Sequence, residues 1–208
     1  MTVRERLQRQ IHFLIETERL KGILRRVSPI GVPRYENSAE HCWTLTLMAV
    51  LLSEHANEDL NLLRVMQMLL VHDLVEIDAG DTFCFDLEEN ATKAEREACA
   101  ADRLFALLPE DQDREFRGLW TEFEAAISAE AAFANALDRL MPLLQNFHNG
   151  GGSWREFGIR REQALERQRP IENGSAVLWE YAESILREAA DRNFFAARIE
   201  TPNETTSP

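Results

Sequence analysis

The stretch Leu69-Leu70-Val71-His72-Asp73-Leu74-Val75-Glu76 sets a histidine, an aspartate and a glutamate inside an otherwise apolar run. From Leu62 to Asp78 nearly every position is apolar, which predicts one helix buried on all sides at the centre of the molecule. Outward from this segment, apolar residues recur at helical spacing along most of the chain. No stretch shows two-residue alternation bounded by hairpin turns. The fold class read from these patterns is all-α.

A first helix is expected from Val3 to Leu24, with Leu7, Ile11, Leu14, Ile15 and Leu20 facing inward. Ser28, Pro29, Gly31 and Pro33 then impose an irregular loop carrying Arg26 and Arg34. Asn37 followed by Glu40 has the spacing of a capping box and opens a helix through Ala49 to about His55. Gly80 ends the central helix, and a loop follows to about Asn90. Helices are expected over Ala91 to Leu108, from Glu110 through Ile127, and over Ala131 to Phe147, where Pro142 predicts a kink or an early stop. The run Gly150-Gly151-Gly152 separates the last two helical stretches, Trp154 to Arg169 and Ser175 to about Arg198. Residues 1–198 read as one domain and 199–208 as a disordered tail.

The chain has 208 residues, 23 basic against 36 acidic side chains and 45% hydrophobic residues, a balance typical of a globular protein. At this length one core buries roughly 70% of the surface of the unfolded chain, so neither disulfides nor a structural metal is required for folding. The formal charge of −13 opposes binding to a nucleic-acid polymer, and a small anionic substrate would need a locally positive site. Cys42, Cys84 and Cys99 are odd in number and lack CxxC spacing, which suits a reducing compartment. Without a secretory leader or an apolar run long enough for a bilayer, a cytoplasmic location with no membrane contact is expected.

An unpaired carboxylate buried beside His72 would cost several kcal/mol, so Asp73 must find a cation or become neutral. A divalent metal meets that need. Glu76 follows Asp73 by three residues and His72 by four, so one helical face can present all three to a shared cavity. His41 lies near the start of a neighbouring helix, and Asp138 sits in the apolar stretch Ala134-Asn135-Ala136-Leu137-Asp138-Arg139-Leu140. Taken singly, His41 also reads as a hydrogen-bonded core histidine, and Asp138 as the partner of Arg139 or Arg103. Taken together, imidazoles and carboxylates on three helices leave positions for water on a transition-metal ion, which suits hydrolysis. Trp43, Trp120, Trp154 and Trp179 read as core anchors, and Cys42 as a small buried hydrophobe.

The order His41, His72-Asp73, Asp138 resembles the signature of the HD-domain metal-dependent phosphohydrolases. Glu36-Asn37-Ser38-Ala39-Glu40-His41-Cys42-Trp43, His72-Asp73-Leu74-Val75-Glu76 and Gly80-Asp81 are similar to the 5′-deoxynucleotidase branch. The likeness spans about Leu14 to Phe147. It implies a compact helical HD-domain bundle with additional C-terminal helices, and a phosphomonoesterase acting on a nucleoside 5′-monophosphate, a deoxyribonucleotide in particular. Implied roles are metal ligation by His41, His72, Asp73 and Asp138, catalysis by Glu76 and Asp81, and substrate binding by Arg26, Arg34 and Asp81. The resemblance further implies a divalent ion (manganese, cobalt, iron, zinc, nickel or magnesium) and a homodimer. The chain departs from the branch at Val27, where those enzymes carry tryptophan. Hydrolysis of another phosphorylated metabolite, such as a triphosphate or an alarmone, and a non-catalytic nucleotide-binding helical dimer are the competing readings.

Overall fold

A computed structural model describes residues 1–197. The expected tail, 199–208, lies outside the described residues. The chain is built of helices, and the pairing of Leu24 with Asn37 is a single antiparallel bridge. Helix α1 (Val3–Thr17) leads through a 3₁₀ turn (Glu18–Gly22) and the bridged loop into α2 (Ser38–Leu52). The expected cap is present, since the Asn37 side chain accepts from Glu40 N while the Glu40 carboxylate accepts from Asn37 N. Then come α3 (Leu62–Val71), a 3₁₀ turn (His72–Val75), α4 (Glu76–Ala79), α5 (Leu87–Phe105), α6 (Glu110–Ala125) and α7 (Ala129–His148). Short helices α8 (Gly152–Glu156), α9 (Arg161–Gln168) and α10 (Ile171–Gly174) precede α11 (Ala176–Asp191).

Helix α7 lies at the centre, packed against α2, α3, α6, α10 and α11. Its Phe133, Leu137 and Leu143 are fully buried, and burial of each such side chain contributes about 1.5–3 kcal/mol. Gly174 permits close approach of α10, because a Cβ there would stand 2.3 Å from the Ala132 carbonyl oxygen. Pro142 does not end α7, which runs unbroken to His148. The proline removes only the amide bond that would have gone to the Asp138 carbonyl, and packing on several sides holds the helix together.

Other expectations are corrected. The first helix stops at Thr17, and of its inward set only Leu20 is buried, together with Phe13. Leu7, Ile11 and Leu14 line an open groove of about 550 Å³ shared with α3 and α6, so they stay about half exposed, as does Ile15. Trp43 is 65% exposed, because α2 is apolar on two faces and turns His41, Leu45, Met48 and Ala49 inward instead. Such a helix carries no periodic signal for which face the core takes. The expected helix Trp154 to Arg169 is split at Gly158, whose φ of 66° lies in the left-handed region. The last helix opens as expected, with Ser175 as its N-cap, but ends at Asp191 rather than near Arg198. The central segment is not one α-helix either, for it tightens to 3₁₀ at His72 and ends at Gly80, φ 77°.

Candidate metal centre and cleft

The 3₁₀ turn is what aligns the central acids. With three residues per turn, side chains at i and i+3 eclipse, so Asp73 and Glu76 stand one above the other, and both line one cleft. His72 Nδ1 is 2.9 Å from the Leu69 carbonyl oxygen. A carbonyl only accepts, so Nδ1 carries the proton and Nε2 presents its lone pair. That Nε2 is buried without a hydrogen-bond partner, 3.1 Å from Asp73 Oδ1 and 3.9 Å from Asp138 Oδ1. His41, at the start of α2, places Nε2 3.0 Å from Asp138 Oδ1, with Nδ1 3.3 Å from Glu36 Oε2. Ligand atoms of His41, His72 and Asp73 lie within 4.8 Å of one another. The four residues therefore converge, and an imidazole lone pair facing carboxylate oxygens at 3–4 Å is an arrangement completed by a cation.

The positive charge among these acids comes from Arg25. Its Nη1 donates to Asp73 Oδ2 at 2.9 Å and lies 3.8 Å from Asp81 Oδ1, while Nη2 is 3.9 Å from Asp138 Oδ1 and Nε 3.6 Å from Glu36 Oε2. The bridged loop positions it. Arg25 N donates to the Glu36 carbonyl and Glu36 N to the Val27 carbonyl, both at 2.8 Å, so Arg25 and Val27 point inward while Arg26 points aside. Arg26 lines the outer part of the cleft, 3.3 Å from Glu89 Oε1, with its guanidinium 5.6 Å from the Phe83 ring and 5.9 Å from that of Phe157. Arg34 is not among the residues lining the cleft, and its Nη2 bonds Glu40 Oε2 at 2.9 Å.

Electrostatics follow this packing. Burial pushes the Glu76 carboxyl well above the usual carboxylate range and nearby Asp73 adds to the effect, against the pull of Arg25 and of the Ser38 hydroxyl, which donates at 2.7 Å. Burial also raises Asp81, opposed by Arg25. Asp138 is burdened by burial yet held well below its ordinary value by the His41 hydrogen bond and the charges of His41 and Arg25. Burial and Arg25 push the His41 imidazole down, but Asp138 and Glu36 outweigh them and raise it. Sequence reasoning gave no site role to Arg25, Glu36, Lys93, Glu97, Arg139, Arg167 or Gln168, all of which lie in or beside the cleft. For Arg25 the available signal was the Arg25-Arg26 doublet ahead of apolar Val27, where a two-residue period sends neighbours to opposite sides.

Glu97, from α5, faces the same cleft and is raised to about 7, chiefly by burial, with Lys93 Nζ 3.5 Å away. Between pH 4.5 and about 7 the folded chain keeps this proton and the unfolded chain releases it, so stability falls as pH rises through that window. Glu97→Gln is expected to flatten the fall by about 3 kcal/mol, as measured by urea unfolding at pH 4.5 and pH 7.5. Parallel pH profiles for the two proteins would contradict this.

Among the described residues no helix is long and apolar enough to cross a membrane. An HD domain pattern matches residues 17–179. The chain is 36% identical over 138 residues to the bovine protein called 5′-deoxynucleotidase HDDC2, and 35% identical over 137 residues to the human one. These matches cover 64% of this chain and 65% and 66% of the two relatives, just under two thirds of their length. A crystal structure from Magnetospirillum magnetotacticum, described as a predicted metal-dependent phosphohydrolase, is 48% identical with a TM-score of 0.89, covering 93% of this chain and 97% of that one. A Pyrococcus horikoshii structure at 22% identity and TM-score 0.62 shares the fold. The matched pattern spans most of the chain and includes both histidines, both aspartates and the helices that bring them together: the chain belongs to the HD-domain family.

Proposed function

We propose that this protein is a divalent-metal-dependent phosphohydrolase releasing phosphate from a nucleoside 5′-monophosphate, with deoxyribonucleotides as its substrates. The reading is carried by the convergence of His41, His72, Asp73 and Asp138 around the partnerless Nε2 of His72. It is supported by the names of the bovine and human relatives. These four residues would hold the ion. When bound, such an ion acidifies water and polarises a phosphoryl oxygen.

The remaining work falls to the chain. Arg25 donates to the phosphoryl oxygens as its contacts with Asp73 and Asp138 loosen. Glu76, buried and held by Ser38, moves the proton between the attacking water and the leaving oxygen, and its raised pKa favours its holding that proton. Asp81, near Arg25, orients water or a sugar hydroxyl. The Phe83 and Phe157 rings, with Arg26 over them, offer apolar surface to the nucleoside where Val27 stands in place of the branch's tryptophan. Purified protein supplied with each of several divalent ions is expected to release phosphate from at least one deoxyribonucleotide of a panel. Glu76→Gln is expected to lower kcat by about 10²–10⁴. Turnover by that variant equal to the parent's would remove Glu76 from the mechanism.

A homodimer belongs to the same reading. Trp43, Leu47 and Val50 form an exposed apolar stripe on α2 at helical spacing, a surface suited to a second copy of the chain. Sedimentation is expected to give twice the chain mass of 23.9 kDa, and Trp43→Glu to shift it toward the monomer. A monomeric mass for the parent would refute the dimer.

A further inference from the structure

Five cations line the cleft, and three of them have acidic partners: Arg25 with Asp73, Arg26 with Glu89 and Lys93 with Glu97. Arg139 and Arg167 have none among the described residues. In a chain with 36 acids against 23 bases, two guanidiniums left together without a carboxylate call for a cause. Nη1 of Arg139 donates to the Arg167 carbonyl at 2.8 Å, which fixes its fork, while its buried Nε has no partner. Beside them Gln168, 5% exposed and also lining the cleft, has a buried carboxamide oxygen without a partner. An amide of this kind can turn its NH₂ group toward an acceptor.

We infer that Arg139, Arg167 and Gln168 form a second anion subsite, and that the substrate carries a further anionic group besides the phosphate to be released. This rests on the phosphohydrolase reading and extends its substrate class. Asp138 and Arg139 are consecutive on α7, so the metal centre and the subsite start from Cα atoms about 3.8 Å apart. Residues of both sites line one cleft, which suits a compact substrate with two anionic groups, such as a nucleoside 3′,5′-bisphosphate. Hydrolysis adds water across the scissile P–O bond. Inorganic phosphate leaves, and the released alcohol takes up a proton and keeps its second anionic group.

The test compares deoxyadenosine 3′,5′-bisphosphate with deoxyadenosine 5′-monophosphate on the metal-loaded protein. The expected ratio of kcat/KM, bisphosphate over monophosphate, is about ten or more, falling toward one in Arg167→Gln and in Arg139→Gln, with partial recovery in Arg139→Lys. Arg167→Gln keeps the backbone carbonyl that anchors Arg139, so it serves if Arg139→Gln fails to fold. A ratio of one in the parent, or one unchanged in both variants, overturns the inference and leaves the mononucleotide reading intact. If neither compound is hydrolysed, that reading fails and calorimetric binding decides. Tighter binding of the bisphosphate to the parent than to Arg167→Gln upholds the subsite, and equal binding overturns it.

Discussion

Asp73→Ala is expected to cut kcat/KM for phosphate release by about a thousandfold, equivalent to about 4 kcal/mol of transition-state stabilisation. Asp73 offers Oδ1 toward His72 Nε2 at 3.1 Å and Oδ2 to Arg25 at 2.9 Å, so its loss breaks both the ion's ligand set and the seating of the arginine. Elemental analysis separates these effects. Metal content is expected to fall along with turnover in Asp73→Ala, while circular dichroism remains helical because the lost groups line a cleft rather than the packed core. Asp73→Asn, which keeps the shape and discards the charge, is expected to behave like the alanine variant. Full turnover in either would show that the proposed ion has no seat here.

Arg25→Met carries the second large effect. The Arg25 side chain is 14% exposed and faces Glu36, Asp73, Asp81 and Asp138, whose side chains are 2–17% exposed. Removing one partner from a buried charge cluster costs about 3–5 kcal/mol, because the acids left behind are neither solvated nor paired. Urea unfolding of the metal-free protein at pH 8 is expected to show that loss. The deficit should shrink toward pH 4, since carboxylates raised by lack of a partner take up protons on acidification and the folded state is relieved. A divalent ion should also shrink it by supplying the missing charge. A deficit independent of both pH and metal would mean that Arg25 contributes packing alone.

These effects could be foreseen only in part before the fold was seen. The Asn37 and Glu40 cap was legible because its two bonds join residues three apart, and so was the end of the central segment at Gly80, where a positive φ favours glycine. The tightening at His72 was not, because its residues are as compatible with an α-helix, and the choice rests on contacts with α5 and α6. The burial of Trp43 was misjudged for a related reason. Apolar content shows that α2 is suited to burial, while its neighbours select which of two apolar faces is covered.

The division falls between chemistry that is local and chemistry that is assembled. Apolar periodicity determined that the chain is helical, and an aspartate beside a histidine in an apolar run determined that a cation must be near, because burying an unpaired charge is costly wherever that segment packs. Which cation serves in the protein as it stands, Arg25 rather than Arg26 or Arg34, was decided by tertiary structure. So was the meeting of Arg139 with Arg167. Those pairings join residues far apart in the chain, and only the packing of the bridged loop and α9 around α7 brings them within reach of one another.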